Sequence, residues 1–135
     1  MEVWFFFIVF IIFPCVCTII FFIATAINTA QDNKKRKAHP QFYCWIDELN
    51  GLISQSVKYH NQHIAPLKRL VDNILKEWKY YDEEMRFNKG VDLELYRKNI
   101  QRHQRMLDSM KADEERLRKI IRKYNAKHHL EEDSW

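Results

Sequence analysis

From Val3 to Ile27 the chain reads VWFFFIVFIIFPCVCTIIFFIATAI, 25 residues without one charged side chain. At about 1.5 Å rise per residue this is roughly 37 Å of helix, enough to cross a hydrocarbon core of about 30 Å. The segment is therefore expected to be a transmembrane anchor within residues 1–30, with Trp4 in contact with lipid. All 22 Lys and Arg residues follow the run, as do all 18 acids except Glu2, so the part from Asn28 onward carries 22 basic and 17 acidic side chains, a net +5. Charge makes that part water-soluble.

Orientation follows from the basic residues beside the span. None precedes it, while Lys34, Lys35, Arg36 and Lys37 follow within about ten residues, and positive charge is retained on the cytoplasmic side. The favoured arrangement is an uncleaved anchor with Met1 outside and the remainder in the cytoplasm. An anchor of opposite sense is one alternative. The other is a signal peptide cleaved at Ala24-Thr25-Ala26, although the chain lacks a basic leader and its apolar run exceeds the roughly 7 to 15 residues of such a segment. Residues 31–41 form a basic juxtamembrane linker. Each of its charges near an anionic surface is worth about 1 kcal/mol, so lipid is the simplest partner for it. Phe42, Tyr43 and Trp45 follow, suited either to the headgroup region or to the start of a helical core.

Two glycines, Gly51 and Gly90, leave no room for a phosphate-cradling loop, a dinucleotide-binding turn or a nucleophile elbow. Cys15 and Cys17 lie in the apolar run and Cys44 stands alone beyond it, so the soluble part has no disulfide framework. Cys44 could carry an acyl chain, but a small apolar residue on a packed helix is the commoner use.

After His39 the apolar positions recur at three- and four-residue intervals, the signature of helix. Leu93, Tyr96, Ile100, His103, Leu107, Met110, Glu114, Leu117, Ile121 and Tyr124 make a coiled-coil-type seam, polar only at His103 and Glu114. With Asp92 as N-cap and Arg118 to Lys127 loading the other end, a helix is expected over 92–127. Ile64, Leu67, Val71, Ile74, Trp78, Tyr81 and Met85 form a second seam on a helix over about 64–87. A third run, Phe42, Trp45, Leu49, Leu52 and Tyr59, covers about 42–61. Its register falls one residue short of the seam starting at Ile64, and a kink or a short break is expected near Asn61 to Pro66, whose ring removes a backbone hydrogen bond. Phe87-Asn88-Lys89-Gly90-Val91 reads as the turn between the last two helices.

The expected fold is all-α: a single transmembrane helix, then an antiparallel, coiled-coil-like helical hairpin or small three-helix bundle over 42–127, then a polar tail at 128–135. Pairing about a turn at Gly90 would set Trp78 near residues 100–103, Leu107 near Leu70 or Val71, and Glu114 opposite Pro66 within reach of His63 or Lys68. Trp78, Tyr81, Ile100, Leu107, Met110, Leu117 and Ile121 are the expected helix–helix interface.

Signals for chemistry are sparse. His60 with His63, and His128 with His129, are isolated pairs, short of the four N/S ligands of a structural zinc site. Glu83-Glu84 and Glu114-Glu115 are adjacent carboxylates pointing to different sides of a helix. No nucleophile, cofactor loop or substrate motif emerges, and acids interrupt the basic residues too often for a nucleic-acid stripe. The expectation is a non-catalytic membrane protein without cofactor or small-molecule substrate. It would act as scaffold, tether or assembly subunit by binding a protein partner or a second copy through its helical seams. With the other topology or a cleaved signal, the same helices would form an envelope-bridging, lysis-type or exported element.

Overall fold

The structure is a computed structural model in which residues 2–131 are described. Those residues are all-helical, without a strand, and the chain divides into two compact units, Met1–Tyr43 and Cys44–Trp135. Helix α1 spans Glu2–Phe7, a π-helical turn Ile8–Ile12, and α2 Phe13–Ala38. Helix α3 covers Pro40–Tyr59, a second π turn His60–Ile64, α4 Ala65–Glu77, a 3-10 turn Trp78–Tyr80, and α5 Glu83–His128.

The three prolines explain three of these boundaries. A proline ring collides with the carbonyl four residues back and offers no N–H to bond it. Two residues ahead of Pro14 and of Pro66 the helix widens instead of breaking: the Phe13 N–H bonds to the Ile8 carbonyl and the Ala65 N–H to that of His60, both five residues back. Such π turns are short and cost hydrogen-bond geometry, which the proline's missing bond already forfeits. Before Pro40 the outcome differs, because a residue preceding proline is pushed out of the α region. His39 takes φ −132° and ψ 61°, ending α2.

In the first unit, Val3–Ala38 is long and apolar enough to cross a membrane, and none of its most apolar window is buried within the protein. Thr18, Thr25 and Thr29 each turn a hydroxyl back to the carbonyl four residues earlier, at 2.8 Å, which satisfies these three donors along the apolar surface. The expected linker at 31–41 is helical through Ala38, with Lys35, Arg36 and Lys37 in the last turn, where cations suit the helix dipole.

In the second unit the π turn resolves the one-residue register conflict. Buried positions step by seven from Leu49 to Ser56, by eight from Ser56 to Ile64, and by seven again to Val71. The widened turn absorbs the extra residue, so both runs keep one face toward α5. Val71, Ile74 and Leu93 form a buried cluster, covered by Trp78, Tyr81, Tyr96 and Ile100. Further along, Leu49, Ile64, Leu107, Leu117 and Ile121 are buried, each contributing about 1.5–3 kcal/mol by leaving water.

The turn expected at 87–91 is instead an interior part of α5, and the chain reverses earlier, over Trp78–Asp82. Tyr81 and Asp82 are extended, and the Asp82 carboxylate accepts the Met85 N–H at 2.8 Å. Asp82 is thus the N-cap, with Glu83 and Glu84 in the first turn, while Asp92 lies well inside the helix. The physical reason is an unequal contest. A helical glycine costs only about 1 kcal/mol, less than an aspartate cap, two favourably placed acids and two extra turns of helix return. The helices expected at 64–87 and 92–127 are therefore Ala65–Glu77 and Glu83–His128.

The last turn of α5 is tied to the following chain by Asn125, which is 2% exposed. Its side-chain oxygen accepts the N–H groups of Leu130 and Glu131 at 3.0 and 2.9 Å, and its amide donates to the Glu131 carbonyl at 2.8 Å. His129 takes a left-handed conformation, φ 51°, and its N–H returns to the Asn125 carbonyl. The first residues of the expected polar tail are thus folded back onto the helix, while residues 132–135 lie outside the described residues.

Candidate functional site

The residues best placed to do something other than fill space lie where the second π turn faces α5. Tyr59 ends α3, and its hydroxyl sits 2.6 Å from Nδ1 of His103, a hydrogen bond whose direction depends on which ring nitrogen holds the proton. His63, inside the π turn, stacks on His103 with ring centroids 5.0 Å apart and lies tilted against Tyr59 at 4.6 Å. The widened turn rotates His63 toward the pair, joining three rings across two helices. One helical turn earlier, the Ser56 hydroxyl lies 2.6 Å from Oε1 of Glu114 and 3.0 Å from the Ile53 carbonyl, sharing one proton between two acceptors. A shallow open depression lined by Ser56, Val57, His60, Asn61, Leu107 and Lys111 adjoins this polar band.

Both polar seam positions on α5 therefore have cross-helix partners. The expected partners of Glu114, His63 or Lys68 opposite Pro66, are replaced by Ser56, and Trp78 lies not near residues 100–103 but over Gly90, where an added methyl group would meet its ring at 3.8 Å. Both errors have one cause: placing the turn at Gly90 slid the whole pairing by about three helical turns. The upstream pairing continues to Trp45, whose ring meets Tyr124 edge-on at 5.8 Å.

Of the expected interface residues, Leu107, Leu117 and Ile121 are buried, and Trp78, Tyr81, Ile100 and Met110 are half-buried. These side chains are largely occupied within the chain. Of the expected lipid-contacting residues, Trp4 is exposed, Arg36 pairs with Asp32 at 3.1 Å and places its guanidinium over the Tyr43 ring, and Lys34, Lys35 and Lys37 are exposed on the same helix end.

Two titrating groups are clearly displaced. Partial burial, together with the hydrogen bond and charge of Glu77, pushes the Tyr81 hydroxyl above its usual range, and the Lys98 ammonium, 2.9 Å from Glu94, holds that carboxyl below the usual carboxylate range. His63 and His103 are stacked face to face rather than aimed at a common point, and His128 lies against Tyr124. Among the described residues no three His, Cys, Asp or Glu side chains converge to hold a metal.

Sequence reasoning weighed His103 and Glu114 but missed Tyr59, Ser56 and Asn125 as partners. The signals were present: Ser56 is the one polar break in an otherwise apolar run, and Asn125 follows Ile121 by one helical step close to the end of the basic stretch. Comparison with protein-family models, with curated proteins and with solved structures gives no match for this chain.

Proposed function

We propose that the chain is a single-pass membrane protein whose soluble part, an antiparallel helical hairpin, acts by binding other helices rather than by catalysis, as a scaffold, tether or assembly subunit. The observation that carries this reading is the contrast between the two units. Along Val3–Ile27 every side chain is exposed, and large apolar groups such as Trp4, Phe10, Phe13 and Phe21 are each about two-thirds exposed or more. An apolar surface of that size has no stable place in water and suits a bilayer. In the second unit the titratable groups of the seam are engaged in joining helices, the use expected of a binding element.

In this reading Lys34, Lys35, Arg36 and Lys37 leave the bilayer on its cytoplasmic face against anionic headgroups. Trp4 lies at the opposite interface.

Topology is tested by protease protection of a C-terminal tag on intact vesicles, after alkaline extraction has established integral insertion. The tag should be cleaved without detergent. A tag shielded until detergent is added overturns the cytoplasmic assignment, and release of the chain by alkali overturns the anchor. Purification in mild detergent followed by mass analysis should then find the chain in a complex. A lone monomer counts against the scaffold and subunit roles.

A further inference from the structure

The side of α5 opposite its seam carries an apolar stripe that nothing among the described residues covers. Phe87 is 74% exposed, Val91 56% and Leu95 54%, although the neighbouring Leu93 is 6% exposed. At about 100° per residue, Phe87 and Leu95 fall roughly 40° to either side of Val91, while Leu93, Tyr96 and Ile100 lie on the far side of the helix. The same stripe holds one acid and one base, each within about 20° of the Val91 direction: Glu84 one turn before Phe87, and Lys98 one turn after Leu95. Seven residues separate Val91 from each of them, and four separate it from Phe87 and from Leu95. The stripe is therefore symmetric in apolar character about Val91 and antisymmetric in charge.

That pattern selects its own complement. We propose that this face of α5 pairs antiparallel with the same face of a second copy of this chain, across a twofold axis at Val91. Reversal about Val91 brings Phe87 of one copy against Leu95 of the other, Val91 against Val91, and Glu84 against Lys98 at both ends, the self-complementarity that an isologous contact requires. Parallel pairing would oppose Glu84 to Glu84 and Lys98 to Lys98 within the contact, so charge fixes the direction of pairing. Lys98 already bonds Glu94 at 2.9 Å, and its ammonium retains donors for a second carboxylate.

The contact is small. Stable soluble dimers bury about 800 Å² per partner, and a stripe of three apolar side chains offers only part of that. Pairing therefore belongs to copies concentrated on a surface, where confinement raises their effective concentration. This inference identifies the partner for the helix-binding role proposed above and rests on that reading.

The test uses the full chain in vesicles, with Cys15, Cys17 and Cys44 changed to Ser and cross-linking by a short bis-maleimide. Val91→Cys should cross-link to itself with a yield that rises with protein density. Glu84→Cys and Lys98→Cys should cross-link when mixed and not singly. Without added cysteines, amine-to-carboxyl coupling between copies should fall several-fold in Glu84→Lys and in Lys98→Glu and return in the double reversal, while helicity by circular dichroism stays unchanged in all three. A Val91→Cys chain that stays monomeric at every density overturns the inference, as does Glu84→Cys cross-linking to itself or a double reversal that fails to restore coupling. Mass analysis of the unmodified chain in mild detergent separates the two failures: a complex with another protein leaves the binding role standing and removes self-pairing alone.

Discussion

The hydroxyl of Ser56 lies 2.6 Å from a carboxylate oxygen of Glu114, joining α3 to α5 across 58 residues of chain. The two ends of this bond are not equivalent. Without Glu114, Ser56 still has the Ile53 carbonyl at 3.0 Å; without Ser56, a half-buried carboxylate loses its donor. Ser56→Ala should therefore destabilise the chain by about 1–2 kcal/mol, whereas Glu114→Leu should be near neutral or stabilising. The double mutant should recover most of the Ser56→Ala loss. A double-mutant cycle by chemical denaturation measures this coupling, and additive single effects would remove the bond from the account of stability.

Gly90 offers a sharp check on where the chain reverses. Inside a helix, with room for a methyl group 3.8 Å from the Trp78 ring, Gly90→Ala should stabilise by about 0.5–1 kcal/mol. At a turn built on glycine the same change would destabilise. Thermal melting of the variant decides between a helix from Glu83 and a turn at 87–91.

If the second π turn exists to absorb one residue, removing one should be tolerated. Deletion of the exposed Gln62 should convert the turn to ordinary α-helix and leave Leu49, Ser56, Ile64 and Val71 facing α5. Insertion of one alanine at the same point should rotate the two runs apart by about 100° and abolish cooperative unfolding. Equal damage from both changes would argue that the turn is held by contacts specific to His60 and His63.

From a buried position the Asn125 side chain bonds Leu130 and both backbone groups of Glu131. Asn125→Ala should cost about 1–3 kcal/mol and release residues 129–131, visible as faster amide exchange at Leu130 and Glu131. His129→Gly should do the reverse on stability, since glycine takes φ 51° without the side-chain penalty.

Two groups titrate away from their ordinary range. Tyr81 holds its proton to higher pH when folded than when unfolded, so its contribution is complete below the ordinary tyrosine pKa and is lost as pH rises through the folded value. Tyrosinate absorbance, read as the difference between the native chain and Tyr81→Phe, should show Tyr81 ionising late, and Glu77→Gln should bring it earlier. Glu94 works in the opposite direction: its contribution is present above the ordinary carboxylate pKa and is lost as pH falls through the lowered folded value. Lys98→Met should move the Glu94 titration upward, as measured by carboxyl-carbon NMR.

The helical character of the chain was legible because it rests on spacing. The seams at Leu93–Tyr124 and Ile64–Trp78 repeat at three and four residues, and no competing period exists. Even the one-residue offset before Ile64 was visible, although its physical form was not: spacing records that a residue is extra, and only backbone geometry tells a kink from a π turn. The place of reversal was misread because Gly90 and Asn88 are strong local turn signals, whereas Asp82 announces a helix start only if the chain is already known to stop at Trp78. Partners across helices were beyond reach for the same reason, since every pairing inherits the position of the turn. The exposed stripe at Phe87, Val91 and Leu95 has no signature while 87–91 reads as a turn, because residues share a face only once the segment is helical.

Helix α5 runs 46 residues without interruption, while the side packed against it is divided by the π turn at His60–Ile64. In mechanical terms the pair is a splint: one continuous rod of roughly 70 Å strapped to a jointed one. A load bending the unit is borne along α5 and yields at the joint, where the backbone bonds reach five residues back instead of four and Tyr59, His63 and His103 meet. Distortion arriving from either end is thereby focused on this cluster of three rings.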